Sequence, residues 1–181
     1  MKARCAIVAH GGAGDVDRLQ KRRDGLITAV AAGYKILKQG GSSLDAVEQT
    51  AILLEDNPVF NAGTGAFLNL LGALEMDAAV MTSQMMFGGV AAIKNIKNPT
   101  KVARLIMEKT DHILLCGDGA YRFARLMGLP HYNPVTRLRI RNWQRDHRRQ
   151  RSDFLPRLKL MAKLFADTIG VVGIDKTGLI S

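Results

Sequence analysis

The sequence predicts a layered α/β (α+β) domain, a sheet with helices packed outside it, on three observations. Apolar residues recur at helical spacing in some blocks and form short β-rich runs in others, and these blocks arrive grouped rather than in strict strand-helix alternation. A chain of 181 residues with 47% apolar and 23% charged content has the composition of a domain that buries one substantial core. No stretch approaches the roughly 18 consecutive apolar residues of a membrane helix, and Cys5 to Ala9 is too short for the core of a signal peptide. An intracellular protein without membrane attachment is expected.

The elements follow in order. Arg4 to Ala9 reads as a first strand, and His10-Gly11-Gly12-Ala13-Gly14 as a tight turn leaving it. A helix is predicted from Arg22 to Lys38, with Leu26, Ile27, Val30, Tyr34 and Leu37 on one face and Gly40-Gly41 at its exit. Ser42 and Asp45 have capping-box spacing for a second helix that buries Leu44, Val47, Ala51 and Leu54 and stops before Pro58. After a glycine-containing loop from Asn61 to Gly72, strands are predicted over Ala73 to Met81 and Gly88 to Ile93. Asn98-Pro99 starts a helix that reaches Lys109, because proline's missing donor matters least at the first helical position. A strand over His112 to Cys116 then leads through Gly117-Asp118-Gly119 into a helix ending at Gly128. Ser152 to Phe165 has the pattern of one amphipathic helix. The last strand starts after Asp167, is expected to be covered on both faces, and turns at Asp175-Lys176-Thr177-Gly178.

Several chemistries are weakly supported. Gly11, Gly12 and Gly14 complete neither a Walker loop nor Gly-x-Gly-x-x-Gly, since Asp17 holds the last place. A serine-hydrolase elbow fails at Leu44, and Ser42 is better explained as a helix cap. Cys5 and Cys116 read as buried thiols, and His10, His112, His131 and His147 lack ligand spacing, so no metal and no cofactor are assigned. Glu75 and Asp77 lie two apart on a strand and are either paired catalytic carboxylates or edge hydrogen-bonding groups. Asn61 is either a turn residue or an amide placed near a nucleophile.

Thr168 opens the run Thr168-Ile-Gly-Val-Val-Gly-Ile174. It reads as a strand threonine, or as a residue that becomes a chain end. If the bond from Asp167 is cut, Thr168 holds an α-amine beside its own hydroxyl and supplies both nucleophile and base. A free α-amine has a pKa of about 7.7 to 8.0, so part of it is neutral near physiological pH.

The charge is concentrated. Between Arg137 and Lys163 ten Lys or Arg face only Asp146 and Asp153, so this segment carries +8 of the chain's +10. It reads as a solvated linker, or as a contact for nucleic acid or an import receptor, with Trp143 able to stack on a base. The second reading would make the chain a noncatalytic binding protein.

Taken together, His10-Gly-Gly-Ala-Gly14, Leu54-Glu-Asp-Asn-Pro58, Asn61-Ala-Gly63, Glu75-Met-Asp-Ala78, Ile96-Lys-Asn-Pro99 and Asp167-Thr-Ile-Gly170 resemble the threonine-nucleophile asparaginase family of Ntn hydrolases. Leu68-Asn-Leu-Leu-Gly72, Gly117-Asp-Gly-Ala-Tyr-Arg122, the basic segment and Asp167 resemble its threonine aspartase (taspase) branch, whereas Met81-Thr82-Ser83 departs from the usual Met-Asp-Gly. The resemblance implies an αββα sandwich of the Ntn-hydrolase type with the C-terminal half missing from this chain. It implies an α-subunit core over 1–133, a basic linker over 134–166, and the start of a β-subunit over 168–181. Self-cleavage would fall between Asp167 and Thr168, Thr168 would be the nucleophile, and Asn61 would help to hold it. The expected activity is an endopeptidase cutting protein substrates at an internal aspartate, in the nucleus and cytoplasm, as a homodimer of processed αβ units. An isoaspartyl peptidase or L-asparaginase on the same fold is the alternative. Because the family's substrate-holding base and oxyanion donors lie past Ser181, the chain alone is expected to be inactive.

Overall fold

The computed structural model describes residues 4–12, 19–69, 71–149 and 168–181. Strand β1 (Ala6–His10) pairs antiparallel with the last strand, β5 (Gly170–Ile174), so the two extremes of the described chain meet. The register sets Ile7 against Gly173, Ala9 against Val171 and His10 against Gly170. Helices α1 (Leu19–Lys38) and α2 (Ser43–Asp56) pack on this pair. The cap of α2 is the predicted one: the Ser42 hydroxyl accepts from Asp45 N at 3.1 Å. Leu44, Val47, Ala51 and Leu54 are buried as expected.

The inward face of α1 differs from the expected stripe. Ala29, Gly33 and Leu37 are buried, whereas Ile27 and Tyr34 are exposed. The cause is the close approach of α1 and α2. A Cβ at Gly33 would lie 2.1 Å from Thr50 Oγ1 and 2.8 Å from Ala46 O, so glycine alone fits there without a shift.

The second sheet has the order β2 (Met76–Met81), β3 (Phe87–Ile93), β4 (Leu114–Cys116). The β2–β3 pair is an antiparallel hairpin, and helix α3 (Pro99–Lys109) carries the chain across to β4, parallel to β3. Helix α4 (Gly117–Leu126) follows and ends near Gly128, whose φ of 84° suits glycine. Val90, Ile93, Val102, Ala103 and Ile106 form the main core between α3 and the sheet. Two sheets flanked by helices make the mixed α+β architecture anticipated for the Ntn sandwich. Among the described residues no helix is long and apolar enough to cross a membrane.

Three expectations need correction. Cys116 is exposed rather than buried, because β4 is an edge strand of three residues. Strand β5 is covered on one face only: Val171 packs inward, while Val172 and its neighbour Val8 are exposed. Finally, the basic segment does not begin as a solvated linker. Residues 137–149 form helix α5 (Arg137–Arg149), started by Thr136, whose hydroxyl accepts from Arg139 N at 3.2 Å. The amphipathic helix anticipated at Ser152 to Phe165 lies outside the described residues.

The turn after β5 is held by one carboxylate. Asp175 Oδ1 accepts from Thr177 N, Thr177 Oγ1 and Leu179 N, and Oδ2 accepts from Ser43 N at the start of α2. The chain then doubles back, so that Ser181 and Gly173 exchange both backbone hydrogen bonds. Burial alone would push the Asp175 carboxyl up, but these donors outweigh it and hold the group below its ordinary 3.8. A depressed folded value means that its stabilisation is present above about pH 4 and is lost as pH falls through the folded value. Asp175→Ala is expected to cost about 2 kcal/mol at neutral pH by urea denaturation, with the gap from wild type narrowing in acid; an unchanged gap at low pH would show that the charge is irrelevant.

Candidate active site

A cavity of about 1120 Å³ opens where the start of β5 meets α2, the 61–69 loop and β2, and Thr168 and Asn61 both line it. The register of β5 on β1 puts Thr168 there, two residues before the His10–Gly170 pair. A side chain at Gly170 would collide with the His10 ring, since an added Cβ would lie 2.3 Å from Nε2. Glycine at 170 is therefore a condition of bringing the strand start this close. Thr168 is exposed, and among the described residues its hydroxyl makes only a 3.5 Å contact with the Ile169 carbonyl. Its oxygen is thus available for chemistry. Asp167 lies outside the described residues.

Asn61 is half-buried in a tightly folded loop. Its Oδ1 accepts from Phe67 N at 2.7 Å, closing the loop on itself, and Gly63–Gly65 forms one 3₁₀ turn. Phe60 anchors the segment from below. It is fully buried, and its ring occupies the space that side chains at Gly11 and Gly25 would fill, with added Cβ atoms 2.5 Å and 3.0 Å from it. The first glycine of the His10-Gly-Gly turn is accordingly a packing requirement of this loop, not part of a phosphate cradle.

The carboxylates Glu75 and Asp77 also border the cavity but are committed to structure. Glu75 pairs with Lys94 at 3.0 Å and accepts from Asn69 Nδ2, and the Lys94 contact holds its carboxyl below the ordinary range. Asp77 accepts from Ala92 N at 2.7 Å beside the β-bulge between Met76 and Ala78. Of the two readings of this pair, edge hydrogen bonding is what the geometry supports.

The family model described as asparaginase matches residues 3–181. The chain belongs to the asparaginase family. Among its relatives, the plant-type L-asparaginase of Pyrococcus horikoshii is 45% identical, the match covering 94% of this chain and 59% of that protein. The isoaspartyl peptidase/L-asparaginase of Xenopus laevis is 44% identical over 95% of this chain and 56% of its own length. The human isoaspartyl peptidase/L-asparaginase is 40% identical over the same shares. The chain thus spans somewhat more than half the length of these asparaginase-family relatives. The aspartase branch suggested by residues 68–72 and 117–122 is not the branch these comparisons point to.

The asparaginase-family cavity also contains a carboxyl that the sequence reading passed over. Glu55 is buried at the end of α2, and its Oε1 accepts from both Thr100 N and Thr100 Oγ1, at 3.1 and 2.6 Å. It therefore caps α3 in place of Asn98, whose side chain is turned to Asp56. The available signal was position: Glu55 follows Ala51 by four residues on the inward stripe of α2, where an acid is out of place. Its Oε2 is buried with no partner among the described residues. Burial pushes the carboxyl up to about 7 against the Thr100 hydrogen bonds, and the nearby Asp56 charge adds to the push. With the folded value above the ordinary 4.5, the contribution to stability is full below that value and is lost as pH rises toward about 7. Glu55→Gln is expected to remove this loss, so its melting temperature relative to wild type rises between about pH 5 and about pH 8; an equal offset at both would refute the assignment.

Proposed function

We propose that this protein acts as an isoaspartyl peptidase/L-asparaginase of the Ntn type, with Thr168 as nucleophile once the 167–168 bond is cut. The observation that carries this reading is the shared cavity: Thr168 presents a hydroxyl with one 3.5 Å contact among the described residues, at the head of β5 and in the same space as Asn61. The names of the relatives support the substrate class.

The chemistry follows from residue types. In the precursor the Thr168 hydroxyl attacks the Asp167 carbonyl, the C–N bond breaks as the acyl group moves from nitrogen to oxygen, and water hydrolyses the ester. The Thr168 nitrogen is then an amine. It accepts the proton of its own hydroxyl, and the oxygen attacks the side-chain carbonyl of asparagine or the β-carbonyl of an isoaspartyl peptide. Ammonia or an amine leaves with that proton, and water releases aspartate from the ester. Asn61, by its place in the cavity, is suited to hold the threonine or the developing charge.

A second reading keeps the fold and changes the substrate. Aspartate at position 167 would suit an enzyme that cuts protein substrates after aspartate, since self-cleavage and substrate cleavage would share that residue. Full-length material should resolve the two. Cleavage at 167–168 by mass spectrometry, with hydrolysis of β-aspartyl dipeptides and L-asparagine but not of proteins bearing an internal aspartate, is the expected result. Thr168→Ala should remain uncut and lose activity by about 10⁴-fold or more. Uncut wild type that hydrolysed these substrates would sink the mechanism, and cleavage confined to internal aspartates would favour the second reading.

A further inference from the structure

We infer that Arg139 is a positioning residue for Asn61, and that helix α5 therefore belongs to the catalytic scaffold; the inference rests on the functional reading above. Arg139 is buried although it comes from the most basic stretch of the chain. Its Nε donates to Gly65 O at 2.6 Å and its NH2 group donates to Phe60 O at 3.4 Å. These two carbonyls lie on either side of the 61–64 segment, so one rigid fork fixes the distance between the ends of the span that includes Asn61. The guanidinium also lies over the Phe67 ring, 3.8 Å from its centre. Phe67 is the residue whose N–H the Asn61 side chain accepts. Arg139 thus touches the Asn61 loop at both ends and at the partner of its amide oxygen, while α5 is held alongside by Trp143, whose indole N–H donates to Asn69 O at 2.9 Å.

Only arginine meets this geometry. It offers several donors in one plane, keeps its charge at any working pH, and presents a flat face to an aromatic ring. Lysine would keep the charge and one hydrogen bond while losing the fork and the stacked face. Small displacements of a positioned group have large kinetic consequences, so loosening the loop should appear in turnover rather than in substrate binding.

The test uses the full-length protein and compares Arg139→Ala, Arg139→Lys and Asn61→Ala, with Arg141→Ala as a control that removes one exposed charge from the same helix. Hydrogen exchange at the Ala66 and Phe67 amides should speed up about tenfold or more in Arg139→Ala and not in Arg141→Ala. On a β-aspartyl dipeptide, kcat should fall about tenfold or more with KM within about threefold, Arg139→Lys recovering part of the loss. Added to Asn61→Ala, the Arg139 change should cost less than about threefold more, because both act through one group. Losses that multiply, a change confined to KM, or exchange unaltered in folded Arg139→Ala would overturn the inference. If Arg139→Ala does not fold, Arg139→Lys is read by the same criteria, with intermediate effects expected and wild-type values counting against the brace. If wild type fails to hydrolyse the dipeptide, the functional reading falls separately, and the brace is judged on exchange alone.

Discussion

Everything about the candidate site depends on the antiparallel pairing of β1 with β5. Thr168 sits at the cavity because five residue pairs hold β5 in one register, and a slip of one residue would turn its side chains to the opposite face. Two glycines protect that register. Gly170 leaves room for the His10 ring, and Gly173 comes within 3.2 Å of Val47 on α2 by its would-be Cβ. Asp175 then locks the far end of the strand to the start of α2. A local feature, a glycine-punctuated strand, is thereby converted into a fixed position for one hydroxyl.

The 57–69 loop is the second half of the arrangement, and it is held from three directions. Phe60 inserts beneath it, Glu55 and Thr100 tie α2 to α3 behind it, and α5 closes over its outer side. Such multiple support holds the Asn61 side chain in place, whereas a polar side chain on an ordinary surface loop samples many rotamers. It also gives the glycines at 11, 25, 63 and 65 a common explanation. Each lies where another group, Phe60 or the backbone of Pro58 and Glu55, has already taken the space of a side chain.

The basic segment shows how a compositional reading can be right about charge and incomplete about structure. Its exposed arginines at 137, 141 and 145 carry the solvated face that ten basic residues suggest. Arg139 and Trp143 point the other way, toward carbonyls of the loop, and Trp143 covers Gly72 instead of standing ready to stack on a base. Nothing in residue order separates Arg139 from its neighbours. The helical turn does so, by placing 139 and 143 four residues apart on one face.

Periodicity, caps and breakers in the sequence alone determined the helices and strands up to Gly128, with Ser42, Pro58, Pro99 and Gly128 marking boundaries close to those observed, whereas α5 had no such signal. These are interactions between residues a few positions apart, which a linear reading can weigh. Through short motifs it also determined the family, and it supplied Asn61 and Thr168, the pair on which the proposed function rests. The tertiary structure alone decided which face of α1 turns inward, that Cys116 and Val172 are exposed, and that Glu55 and Arg139 are buried around the Asn61 loop. Those outcomes are set by which surfaces meet between different elements of the fold, where the close approach of Gly33 to Thr50 or the capture of the Phe60 and Gly65 carbonyls by Arg139 has no local signature.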